Sequence, residues 1–65
     1  MTTELNLDAS TITNTGHYDV PGVGLVVWYE FKTFEDLEAN FIANLAHWKA
    51  NSRKTKVIGK KIFIF

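Results

Sequence analysis

The sequence predicts an α+β fold: one amphipathic helix packed on one face of a small, mainly antiparallel β-sheet, in the order β-β-α-β with room for a fourth strand. Three observations lead there. Gly24–Phe31 (GLVVWYEF) is dense in β-branched and aromatic residues, the composition of a strand. Thr33 then opens a stretch whose apolar residues recur at helical spacing. Residues 56–65 return to an extended, largely apolar pattern that closes on Ile62, Phe63, Ile64 and Phe65. Sixty-five residues accommodate a single domain, so the whole of 1–65 is read as one unit.

Residues 4–8 (ELNLD) alternate polar and apolar, which suits a half-buried first strand. Residues 9–15 are rich in Ser and Thr and read as extended chain or loop, with Asn14-Thr15-Gly16 as a turn signal. Val20-Pro21-Gly22-Val23 is a stronger one: proline pre-sets φ at the second turn position and glycine accepts the positive φ of the third. In Gly24–Phe31, Leu25, Val27, Tyr29 and Phe31 share one face and Val26, Trp28 and Glu30 the other. Both faces are mostly apolar, which predicts a central strand.

Thr33 is the predicted N-cap, with Asp36 three residues on, and Glu35, Asp36 and Glu38 favour the positive helix start. His47 and Lys49 suit its negative end, near Asn51. At about 100° per residue, Phe34, Leu37, Phe41, Leu45 and Trp48 fall within an arc of roughly 80° and form the expected core stripe. His47 is expected on the far, solvated side. Ala39, Ala43, Ala46 and Ala50 form a small-residue strip away from the core, which would allow close approach of another helix but which helix propensity explains more simply. Gly59-Lys60 reads either as a two-residue hairpin loop or as a bulge within one strand.

Composition narrows the function classes. Apolar residues are 46% of the chain and aromatics 14%, a globular composition. There is no cysteine, so neither a disulfide nor a thiolate metal site is possible. His17 and His47 lie thirty positions apart, two histidines are too few for a zinc site without carboxylates, and no carboxylate sits at a suitable helical spacing from His47, so no metal is expected. The N-terminus has no apolar run like that of a signal peptide, and no segment reaches about 18 apolar residues, so a soluble cytoplasmic protein without membrane contact is expected.

No catalytic or cofactor motif emerges. Gly22-Val23-Gly24 precedes a strand and aims no helix terminus at a phosphate. His17-Tyr18-Asp19 places an imidazole beside a carboxylate, but Ser10 and Ser52 lie in no nucleophile motif. We therefore expect no enzyme, no catalytic residue and no cofactor.

Net charge is zero, yet the signs are segregated: residues 1–38 hold all seven acids and one base (−6), and residues 39–65 hold six bases (+6). The two halves are expected to face each other in the fold, or to mark an interaction surface. One helix covers only one face of a sheet, and Val26, Trp28, Phe63 and Phe65 fall on the uncovered one unless residues 1–20 fold back over it. The leading expectation is a small non-enzymatic adaptor, regulator or inhibitor that binds a protein, or itself as a homodimer, through these residues, with Trp28 as anchor. The alternative is nucleic-acid binding by the basic segment 49–61, through Lys49, Arg53, Lys54, Lys56, Lys60 and Lys61. Small sheets backed by one helix occur both in sheet-reading DNA-binding modules and in small inhibitor proteins, an analogy at the level of fold alone.

Overall fold

A computed structural model describes residues 6–65. After a short 3-10 turn at Ala9–Thr11 come β1 (Ile12–Val20), β2 (Gly24–Phe31), α1 (Phe34–Ala50), β3 (Thr55–Ile58) and β4 (Lys61–Ile64). The four strands form one antiparallel sheet in the order β1-β2-β4-β3, so β2 and β4 are central and β1 and β3 are the edges. The α+β class and the single helix are as the sequence predicts.

Each turn has its chemical reason. Gly22 takes φ 84° in the turn between β1 and β2, closed by Val23 N–H donating to the Val20 carbonyl at 3.0 Å. Gly59 takes φ 60° while Lys60 stays at negative φ, so Gly59-Lys60 is the two-residue hairpin loop between β3 and β4 and the bulge alternative falls away. Thr33 caps α1, its Oγ1 accepting the Asp36 N–H at 3.1 Å. The helix ends in a Schellman motif, with Arg53 N–H donating to the Trp48 carbonyl at 2.7 Å and Ser52 N–H to the Lys49 carbonyl at 3.2 Å. Ser52 supplies the left-handed residue at φ 56° that glycine usually provides.

The first strand differs from expectation. Residues 4 and 5 of the expected strand lie outside the described residues, and residues 6–8 join no sheet. Asn14, Thr15 and Gly16 make no turn; they sit inside β1, opposite Glu30, Tyr29 and Trp28. Local composition favoured a turn, but pairing along the whole of β2 overrides it. A register shift between Ile12 and Asn14 marks a bulge at the start of β1.

The helix is also rolled relative to the predicted stripe. Its buried residues are Leu37, Asn40, Asn44 and Trp48, whereas Phe34 is 52% exposed. On a helical wheel this is a rotation of about 60°. The cause is the segment at 6–8, which runs along the helix and is held by two asparagines. Asn44 Oδ1 accepts the Asn6 N–H, and Asn44 Nδ2 donates to the Asn6 carbonyl at 3.1 Å. Asn40 Oδ1 accepts the Asp8 N–H at 2.8 Å. Residues four apart on a helix are separated by about 6 Å along its axis, and alternate residues of an extended chain by about 6.7 Å, so the two ladders match. Leu7, between the bonded residues, packs against the core of Phe31, Leu37, Trp48, Ile62 and Ile64. Trp48 is 3% exposed and meets the Phe41 ring at 5.9 Å between centroids.

His47 is half-buried rather than solvated and lines a depression with Val27, Tyr29, Trp48 and Arg53, because the roll turns it toward the sheet. The alanine strip is exposed, and Ala39 and Ala43 border the docked segment at 6–8.

Candidate functional site

The sheet face opposite the helix is the surface on which the candidate residues meet. Strand alternation and register place them. Val26 lies opposite Tyr18, Trp28 opposite both Gly16 and Phe63, and Phe63 opposite Lys56. Lys54 and Phe65 exchange two backbone hydrogen bonds, of 2.7 and 2.8 Å, which carry the β3–β4 ladder one pair further. The described part of residues 1–20 does not cover this face: β1 extends the sheet sideways, and residues 6–8 lie on the helix side.

The face has two regions. One is a shallow concavity of about 320 Å³ lined by Tyr18, Val20, Val23, Val26, Lys56, Ile58, Phe63 and Phe65. Val26, only 5% exposed, is its floor, while Tyr18, Val23 and Ile58 stand 46, 54 and 55% exposed around it. Together they leave a contiguous accessible apolar surface on the sheet. The second region is centred on Trp28. Its ring lies so close against Gly16 that a Cβ there would come within 2.7 Å of the indole nitrogen. The Lys61 ammonium sits over the ring at 5.0 Å from its centroid. Trp28 is thus half-buried and held on its own sheet, and the concavity beside it is the more accessible apolar surface.

The two candidate sets partly coincide. Lys56 lines the concavity, Lys61 caps Trp28 and Lys54 stands opposite Phe65, so three bases share the face with Val26, Trp28, Phe63 and Phe65. Glu30, opposite Lys61, is the acid on this side of β2. The other bases are elsewhere: Lys60 is in the hairpin loop, Lys49 is exposed on the helix, and Arg53 lines the depression beside His47. The segment 49–61 therefore forms no single basic patch. Tyr18, Val20, Val23 and Ile58 escaped the sequence reading. The alternation of Gly16, Tyr18 and Val20 is the signal for two of them, and the turn-like composition of residues 14–16 masks it.

The Asp8 carboxyl is held below its ordinary value of 3.8, chiefly by the Ser10 hydroxyl, whose Oγ donates to Asp8 Oδ1 at 2.7 Å, then by the Ser10 N–H; Lys32 helps more weakly. Among the described residues no three His, Asp or Glu side chains come together as a metal cluster. No described helix is long and apolar enough to cross a membrane. No known protein family, curated protein or solved structure matches the chain.

Proposed function

We propose that this chain is a small non-enzymatic adaptor, regulator or inhibitor that binds protein through the open face of its sheet. The concavity floored by Val26 and walled by Tyr18, Val23, Ile58, Phe63 and Phe65 is the observation that supports the reading. Apolar surface of this kind contributes about 25 cal/mol per Å² when removed from water, and a concave aromatic cluster is where interface energy concentrates. Lys54, Lys56 and Lys61 steer acidic partners toward it.

A photo-crosslinking amino acid in place of Ile58, expressed in host cells, tests this. Ile58 is preferable to Trp28 because Trp28 packs on Gly16 within its own sheet. The expected result is a discrete protein adduct, identified by mass spectrometry, that is absent when the same group replaces the exposed Ala50 on the helix. Equal labelling from both positions would remove the reading.

The presence of Lys54, Lys56 and Lys61 beside four aromatic rings also favours a second reading, single-stranded nucleic acid stacked on the sheet. Two features weigh against it. The Trp28 ring is occupied by Lys61, and half of the concavity's lining is aliphatic. A titration with labelled oligothymidylate at about 50 mM salt decides the matter, since even non-specific binders register at micromolar protein under those conditions.

A further inference from the structure

We infer that the open sheet face receives a second copy of this chain, which presents the acidic flank of its helix: Phe34, Glu35, Glu38 and Ile42. This rests on the reading of that face as a protein-docking surface, and names its occupant.

The roll of α1 creates the flank. Seating Asn40 and Asn44 against residues 6–8 turns Phe34 outward, to 52% exposure, and joins it to Ile42, which lies outside the core stripe and is 66% exposed. Residues 34, 38 and 42 are spaced four apart and fall within an arc of about 80°, with residue 35 about 20° beyond. Phe41 and Leu45, half-buried, continue the apolar surface toward the core. The helix thus carries, outside the core, two exposed apolar residues with two carboxylates between them along the axis. Lys32 precedes this patch and Lys49 lies nearly two turns beyond Ile42, so its centre is acidic.

The sheet face is the complement. It is concave and apolar, and it carries Lys54, Lys56 and Lys61 against Glu30. Lys54 and Lys56 are about 6.7 Å apart along their strand, and Glu35 and Glu38 about 4.5 Å apart along the helix, so two ion pairs can form at once. The concavity is at the lower end of the range that encloses a small ligand, enough for Phe34 or Ile42. An apolar helix stripe laid into an apolar groove is a recurrent mode of recognition.

The two patches lie on opposite layers of the molecule. The contact is therefore heterologous: each copy offers its helix flank to one neighbour and its sheet face to another, and the assembly does not end at two. This differs from the closed homodimer expected from the sequence. One helix flank is a small contact, so association is expected in the range of about 10 µM to 1 mM.

Sedimentation velocity over a dilution series reads the outcome, with two variants at exposed positions. Ile58→Asp closes the sheet face, and Glu38→Lys/Ile42→Lys closes the helix flank. Circular dichroism checks that both are folded. The wild type should grow past the dimer as concentration rises, and weaken several-fold between about 0.05 and 0.5 M salt. Each variant alone should stay monomeric. Mixed together, they should form a 1:1 complex and stop there, because each retains one intact surface, with a Kd within about tenfold of the wild-type step. A wild type that is monomeric at 1 mM, a closed dimer that both variants retain, or a mixture that stays monomeric overturns the proposal. If the wild type is monomeric while position 58 still crosslinks a different protein, the second copy is excluded and the docking reading stands. If both assays are blank, both readings fail.

Discussion

The side-chain amide of Asn44 pairs with the backbone of Asn6 as one strand residue pairs with another, accepting its N–H and donating to its carbonyl. Asn44 is fully buried, and its second amide hydrogen goes to the Asn40 carbonyl at 2.7 Å. No apolar residue of the same size could satisfy these groups. Asn44→Ala should therefore cost about 1–3 kcal/mol, as buried polar groups lose their partners. That is a large share of the roughly 3–5 kcal/mol that a core of this size supplies. Urea unfolding of the two proteins measures it.

Asn44→Asp adds a sign that can be checked by pH. An ionised carboxylate there would face the carbonyls of Asn6 and Asn40, so the fold disfavours the charged form and raises its pKa above the unfolded value of about 3.9. Such a group is compatible with the fold below the unfolded pKa, and stability is lost as pH rises through the folded one. The variant should be more stable near pH 3.5 than at pH 7, relative to wild type. Equal destabilisation at both pH values would contradict this.

Gly16→Ala tests the seat of Trp28. Alanine suits a strand better than glycine, yet its Cβ would meet the indole at 2.7–2.8 Å, so the ring must swing away from β1, which alters its contact with Lys61. We expect a loss of about 1–2 kcal/mol and an altered tryptophan fluorescence. Trp48, buried in the core, is the constant background in that spectrum.

Ser52→Gly should stabilise the protein. Ser52 holds φ 56° in the Schellman motif, a conformation that costs an L-residue about 1 kcal/mol and glycine almost nothing. Glycine's greater freedom in the unfolded chain offsets part of that, so a gain of about 0.5 kcal/mol is expected. A higher thermal midpoint is the readout, and no gain would mean that the Ser52 side chain contributes as much as its strain removes.

Asp8 should titrate below 3.8 by NMR, because Ser10 donates to the ionised form through both its hydroxyl and its N–H. A depressed pKa contributes stability that is present above the unfolded value and lost as pH falls through the folded one. Ser10→Ala should return the titration toward 3.8 and flatten the stability profile in the acid range below about pH 4.

The amino-acid order by itself determined the α+β class, the cap at Thr33, the turn at Pro21-Gly22, the central position of Gly24–Phe31 and the burial of Trp48, but left Gly59-Lys60 open between a hairpin loop and a bulge. Each follows from local chemistry: a hydroxyl beside a helix start, a glycine where φ is positive, or apolar residues on both sides of a strand. Alternation also grouped Val26 with Trp28, and Phe63 with Phe65, on one face of their strands. Tertiary structure decided what depends on partners distant in sequence. Asn14, Thr15 and Gly16 look like a turn until β2 pairs with them, and Gly16 has its reason only in the Trp28 ring lying on it. Asn40 and Asn44 look like solvated helix positions until residues 6–8 dock there, and that docking rolls the helix and leaves Phe34 outside. Likewise the segregated charges acquire a place only when the β3–β4 hairpin brings Lys54, Lys56 and Lys61 onto the aromatic face. Periodicity reports which residues share a face, but which face is covered depends on contacts across thirty or more residues, and those are settled by packing and hydrogen-bond pairing in three dimensions.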